Sequence, residues 1–71
     1  MNSKPSLRDV VALLSDVPEH NLSRGQVGTV VELLDNDTAL IEFSDDNGRA
    51  YAIAAVKSSQ VLLLHYEPEA A

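Results

Sequence analysis

Two glycines three residues apart, followed at once by a β-branched run, constrain this chain more than any other feature. Gly25 closes a polar stretch, Gly28 follows, and Thr29-Val30-Val31 comes directly after. Glycine reaches positive φ and permits close backbone approach at little steric cost, so two glycines at the start of a strand are typical of a tight bend into a small barrel. We therefore expect a small all-β barrel, a fold that does not by itself specify a function.

The residues after this bend have the pattern of two short strands joined by a turn. The predicted second strand covers residues 28–34, with Val30 and Val31 on opposite faces. Asp35-Asn36-Asp37 is the turn, since these side chains bond readily to nearby backbone. The predicted third strand covers residues 39–44, and its alternation places Ala39, Ile41 and Phe43 inward.

A hairpin is predicted next, because Asn47-Gly48 separates two strand-like runs. This dipeptide favours a type I′ turn, in which both central residues have positive φ. Residues 49–56 then form the predicted fourth strand, residues 57–60 a short 3₁₀ turn, and residues 61–66 a fifth strand. Five short strands in so short a chain indicate a small, strongly bent barrel.

The first element allows two interpretations. Leu7, Val10, Val11 and Leu14 have the i, i+3, i+4, i+7 spacing of an amphipathic helix, with Ser6 as a candidate N-cap. The five consecutive apolar residues that begin at Val10 equally suit a short buried strand. Periodicity favours the helix.

A long polar loop is predicted over residues 15–26. Pro18 fixes φ within it and Gly25 closes it. Val17 and Leu22 are its larger apolar residues, and we expect them to hold the loop against the core.

The chain length of 71 residues suits one domain with one small core. We assign this domain to residues 7–66 and expect residues 1–6 and 67–71 to be flexible tails. Domains of this size gain only about 3–5 kcal/mol from their core, so burial against a partner would help them.

Charge and composition exclude several functional classes. The formal net charge is −6 and the five Lys and Arg residues are scattered, which argues against binding to nucleic acid. The chain has no cysteine, which fits a reducing cytoplasm and excludes thiolate chemistry. No apolar run approaches the ~18 residues of a membrane span, and the N-terminus does not resemble a signal peptide.

No residue pattern indicates catalysis, a cofactor or a metal site. His20 and His65 are the two histidines, and no cysteine is available to complete a zinc site. No serine lies in a Gly-x-Ser-x-Gly motif. Glu32 and Glu42 are candidates for a carboxylate pair on adjacent strands, but both are expected to face solvent. We therefore predict that the protein is not an enzyme.

The chain resembles the KOW and SH3-like barrel superfamily and, within it, a short bacterial family of uncharacterised single-domain proteins. The resemblance covers residues 7–65. It rests on the following segments: Asp9–Leu14, Asp16–His20, Leu22, Arg24–Glu32, Ile41–Phe43, Asp46–Arg49 and Val61–Leu63. It implies that residues 9–14 form the first strand and residues 15–26 the long first loop. It implies no established activity. KOW-type relatives often bind RNA or ribosomal proteins, a role for which this chain lacks the basic surface.

Excess apolar residues suggest an interaction surface. Both faces of the first and last strands are apolar, whereas a small barrel has one interior. We predict an interface for a protein partner or a second copy, built from Leu13, Leu40, Leu62 and Leu64. The leading hypothesis is a cytoplasmic, non-enzymatic protein-interaction module, such as an antitoxin-like, immunity-like or accessory partner. The alternatives are a nucleic-acid or ribosome-associated module and a structural homodimer.

Overall fold

A computed structural model describes residues 4–64 as one antiparallel sheet of five strands. Residues 1–3 of the predicted tail 1–6, the predicted tail 67–71, and His65 and Tyr66, the last two residues of the predicted fifth strand, lie outside the described residues. The elements are β1 (Val10–Leu13), a first 3₁₀ turn (Pro18–His20), β2 (Val27–Leu33), β3 (Thr38–Ser44), β4 (Ala50–Lys57), a second 3₁₀ turn (Ser58–Gln60) and β5 (Val61–Leu64). The all-β prediction and the 3₁₀ turn before the last strand are confirmed.

The sheet curls strongly, and a short connection requires it to do so. The strand order is β4-β3-β2-β1-β5, so the consecutive strands β4 and β5 occupy opposite edges. Four strand spacings in a flat sheet amount to about 19 Å. The three residues Ser58–Gln60 join the two strands, and even an extended connection of this length reaches only about 14 Å. The sheet therefore bends until its two edges approach each other at this end.

One face of the curled sheet forms the core. Phe43, Ile41, Val11 and Val30 are fully buried there. The rest of the core consists of Leu13, Val17, Leu22, Ala39, Ala54, Val56 and Val61. The inward orientation predicted for Ala39, Ile41 and Phe43 is confirmed. Val30 is buried, and Val31 is exposed at an irregularity of the β2–β3 ladder.

β1 is a strand, as the resemblance implies, and the helical interpretation is wrong. It pairs with β2 on one side and with β5 on the other. Val10 lies opposite both Thr29 and Leu64 in these ladders. Tertiary pairing on both sides satisfies the backbone of this four-residue segment, which is too short to form a stable helix.

Each of the two glycines has one of the two properties expected of the pair: Gly28 allows close approach, and Gly25 has a positive φ of 90°. A Cβ atom at Gly28 would lie 2.5 Å from Ile41 Cγ2 and 2.9 Å from the carbonyl oxygen of Glu42. β3 therefore packs directly over the backbone of Gly28. At Gly25, no atom lies within 4 Å of such a Cβ, so positive φ is the property that favours glycine there.

The long loop is held in place by its apolar residues, as predicted. Val17 and Leu22 are buried and pair across an isolated β-bridge. Between them, Pro18 begins the first 3₁₀ turn, and Asn21 ends it in the left-handed region at φ 57°. The backbone N–H of Gly25 then donates to the carbonyl of Leu13 at 2.7 Å, which joins the end of the loop to β1.

The turn between β3 and β4 differs from the predicted type I′ turn. Gly48 has φ 79°, but Asn47 is not among the residues with positive φ. The N–H of Gly48 donates to the carbonyl of Asp45, and the N–H of Asp45 donates to the carbonyl of Arg49. This is a three-residue loop with a type I turn and a left-handed glycine. The Asp45 carboxylate, which accepts from the N–H groups of Asn47 and Arg49, stabilises this alternative.

Candidate interaction surface

The outer face of the sheet, opposite the core, carries a continuous apolar patch on β5, β1 and β2. The ladders set Leu64 beside Val10, Leu62 beside Ala12, and Ala12 beside Val27. These five residues, which we call the outer patch, share a face because they alternate with the buried residues of the same strands. The side chains of Leu62 and Val27 remain 53% and 45% exposed, respectively.

Two carboxylates and a further apolar side chain lie on the outer face beside the outer patch, on the side of β3 and β4. Glu42 lies opposite Thr29, the neighbour of Val10, and Glu32 lies opposite Leu40. Beyond them, Ile53 on β4 pairs with Glu42 and is half exposed. The described outer face is therefore apolar at its centre, with Glu42 and Glu32 beside the patch and Lys57, opposite Thr38, farther out on β4.

The four residues predicted as an interface do not all lie together. Leu62 and Leu64 belong to the outer patch, as the register of β5 with β1 shows. Leu40 lies on the same face but on β3, beside Ala55. The inclusion of Leu13 is wrong: its side chain is 2% exposed and packs in the core, because it alternates with Ala12.

Sequence reasoning missed Val27 and Ile53 as exposed apolar residues. Both are half exposed. The signal that identifies Val27 is its position directly before Gly28. Because Gly28 packs against Ile41 and Phe43 on the core side, its neighbour in an alternating strand must face outward.

The two predicted aspartate turns lie at opposite ends of β3, as expected. Asp35 belongs to the turn before β3, and Asp45 to the turn after it. The backbone N–H of Asp37, which donates to the Asp35 carboxylate at 2.8 Å, lowers the pKa of Asp35 below its usual value, and donation from Thr38 adds to this effect. Hydrogen bonds within the turn thus account for this carboxylate.

The candidate carboxylate pair is not formed across the β2–β3 ladder. Glu42 lies opposite Thr29, whereas Glu32 lies opposite Leu40, beyond the irregularity between Val30 and Glu32. The two carboxylates are therefore not directly opposed, and both lie on the outer face, as expected.

A shallow cavity of about 240 Å³ lies at the end of the sheet that carries the Asp35 turn. Its lining combines Lys4, Pro5, Ser6, Leu33, Asp35, Asn36, Thr38, Ala39 and Ser58. The volume is below the roughly 300–1,000 Å³ of usual small-molecule sites. The Asp35 oxygen that accepts from Asp37 and Thr38 is already engaged.

Neither the histidine on the first 3₁₀ turn nor the described carboxylates form a metal-binding group. His20 is exposed at the end of that turn. Within residues 4–64, no three His, Cys, Asp or Glu side chains are placed to hold a metal ion together. The same residues contain no helix with the length and apolar character needed to cross a membrane.

Four of the five turn and loop residues predicted from sequence lie in loops, and the fifth, Gly28, does not. Pro18 begins the first 3₁₀ turn, Gly25 ends the long loop, and Asn47 and Gly48 lie between β3 and β4. Gly28 differs from the others because it lies within β2.

Residues 7–63 match the family described as Domain of unknown function (DUF4926), and the chain therefore belongs to that family. The uncharacterised family expected from the resemblance is confirmed. No curated protein and no solved structure matches the chain.

Proposed function

We propose that this DUF4926 protein is a non-enzymatic protein-interaction module of the SH3-like type, and that it acts in the cytoplasm by presenting its outer patch to another protein. The observation that carries this proposal is the exposure of Leu62 and Val27 beside Ala12, on the face that does not form the core. Contiguous exposed apolar surface of this kind marks interaction sites on small domains.

The SH3-like assignment is supported by the strand order. The sheet has five antiparallel strands, with β4 and β5 at its two edges. A 3₁₀ turn connects these two edge strands, and both features are consistent with an SH3-like fold. The long loop between β1 and β2, residues 14–26, is consistent with the first loop that the resemblance implies.

The electrostatics of the outer face favour a partner with basic side chains. Glu42 and Glu32 are the charged residues that the β2–β3 ladder places on this face, and the whole chain has a formal net charge of −6. A partner that covers the outer patch would desolvate Glu42 in part, and an unpaired buried carboxylate is costly. A lysine or arginine of the partner, close to Glu42, would compensate for that cost.

Affinity capture from native lysate with an outer-patch variant tests this function. Leu62→Glu places a charge in the patch, and Leu7→Glu is the matched control because Leu7 is similarly exposed, at 55% against 53%, but lies before β1. We expect one stoichiometric protein to be retained by the wild type and by the control, and to be lost with Leu62→Glu.

Three outcomes of this capture contradict the proposal. They are retention of the same protein by Leu62→Glu, the absence of any retained protein, and recovery of RNA with ribosomal proteins that salt releases. Glu42→Gln gives a further check: the captured partner should then dissociate with a weaker dependence on salt, because one charge pair is removed.

A further inference from the structure

β4 is an edge strand with unusually little protection against pairing. It has eight residues, Ala50–Lys57, and pairs with β3 on one side only. Its other edge pairs with none of the strands in residues 4–64. An edge strand presents unpaired backbone N–H and C=O groups, and proteins usually block such an edge with charges, proline, a bulge or a covering segment.

Only the ends of β4 carry such features. Lys57 is its single charged residue, and the strand contains no proline or glycine. The ladder with β3 is irregular between the pairs Phe43–Ala52 and Ser44–Ala50, which places an extra residue, Tyr51, near the start of the strand. The stretch Ala52–Val56 therefore remains regular, uncharged and unpaired on its outer edge.

We propose that β4 pairs antiparallel with β4 of a second copy of this chain, so that two five-stranded sheets become one. A twofold axis requires the same strand from both copies, and the stretch 52–56 is symmetric about Ala54. With Ala54 opposite Ala54 of the second copy, Ile53 falls opposite Ala55 on the outer face, and Ala52 falls opposite Val56 on the core face. Each large side chain then meets a small one.

Charge selects this register over its nearest alternative. In the nearest alternative register, the twofold axis passes through Ile53. Residues opposite each other still share a face there, so side-chain orientation alone allows it. That register would bring Lys57 toward Arg49 of the second copy, just beyond the irregularity at Tyr51, and like charges brought close across an antiparallel pair are destabilising. With the axis at Ala54, Lys57 falls near the uncharged Tyr51 of the second copy, whose hydroxyl accepts a hydrogen bond from Gln26 of its own chain, so no like charges oppose each other.

A second copy suits this edge better than it suits the outer patch. Pairing through the outer face would bring the acidic surroundings of the patch, Glu42 and Glu32, toward the same residues of the other copy. The edge has no carboxylate between Ala50 and Lys57. The edge and the outer patch are therefore separate surfaces, and this proposal does not rest on the proposed function.

Sedimentation velocity of the full chain across a wide concentration range tests dimerisation through the free edge of β4. We expect a monomer–dimer equilibrium for the wild type. Ile53→Lys and Ala55→Glu each replace one member of the same cross-strand pair, twice per dimer, and each should weaken dimerisation by on the order of tenfold or more. Both residues are exposed on β4, so the monomer should keep its fold, which circular dichroism checks.

The double variant Ile53→Lys/Ala55→Glu specifies the register. It sets an ammonium group opposite a carboxylate of the second copy, and we expect it to recover most of the dimer affinity. With the axis at Ile53, the two new ammonium groups would instead oppose each other and dimerisation would stay weak. Leu62→Glu is the control on the other surface and should leave the dimer unchanged.

Two results would overturn the proposal. One is a monomer at every concentration of the wild type. The other is a dimer that resists both single β4 variants but dissociates with Leu62→Glu, which would place self-association on the outer patch. Failure of the affinity capture described above has no bearing on either result.

Discussion

Gly28→Ala should destabilise the protein severely, although it adds a single methyl group. The new Cβ would lie 2.5 Å from Ile41 Cγ2, 2.9 Å from the carbonyl oxygen of Glu42 and 2.9 Å from Phe43 Cδ2. Ile41 and Phe43 are fully buried, so neither ring nor methyl can move into solvent. The carbonyl belongs to the β2–β3 ladder, and its displacement would strain the pairing of Gly28 with Phe43.

The magnitude follows from two opposing terms. Overpacking a close-packed core by one methylene costs about 1–3 kcal/mol, and contact with backbone favours the upper part of that range. Removing glycine from the unfolded chain returns about 0.4–1 kcal/mol. We expect a net loss of roughly 2 kcal/mol, which in a domain of this size lowers Tm by about 10 °C or more.

Urea and thermal unfolding followed by circular dichroism measure this loss. Gly25→Ala is the matched control, because its Cβ would meet no atom within 4 Å and its cost arises from φ 90° alone. A left-handed conformation costs a non-glycine residue about 1–2 kcal/mol. If Gly28→Ala unfolds at the wild-type temperature, the close packing of β3 over Gly28 is refuted.

Three further predictions concern single side chains. Leu13→Ala should cost about 2–5 kcal/mol in chemical unfolding and Leu62→Ala less than about 0.5, because the first is buried and the second half exposed; equal losses would contradict the assignment of faces. Gly48→Ala should cost about 1–2 kcal/mol and Asn47→Ala less than about 0.5, since only the first has positive φ; a large loss for Asn47→Ala in the same assay would restore the type I′ turn. Asp35→Ala should be less stable than wild type at neutral pH, and the difference should shrink as the pH falls below the ordinary value of 3.8, because a carboxylate with a lowered pKa loses its contribution as it is protonated. A pH series of thermal unfolding curves that stay parallel would contradict this.

The strand positions were predictable because their signals are local. The alternation from Ala39 to Phe43 specifies a half-buried strand, and Gly25 and Gly28 mark the approach to β2. β1 (Val10–Leu13) was not predictable from periodicity, because the spacing of Leu7, Val10, Val11 and Leu14 favours a helix. Its strand conformation depends on pairing with β2 and with β5, and β5 is the last of the five strands.

The turn after β3 shows a different limit. Asn47-Gly48 favours a type I′ turn by its own conformational preference. In the observed loop, however, the Asp45 carboxylate accepts two hydrogen bonds from backbone N–H groups. The preference of Asn47-Gly48 is thus overridden by the side chain of Asp45, two residues before Asn47. The placement of the hairpin was correct, while its geometry required knowledge of these bonds.

The apolar residues on both faces of β1 and β5 could be assigned only after one residue of known orientation was available. Gly28 provides it, because only the core side of β2 brings Ile41 and Phe43 against its backbone. Val11 pairs with Gly28 and shares its face, so Ala12 must face outward, and Leu62 with it. The fold therefore gains little from an apolar side chain at Leu62, whose exposed half remains in water. Single exposed apolar residues are ordinary on protein surfaces, so the proposal of an outer-patch partner depends on several of them adjoining on one face.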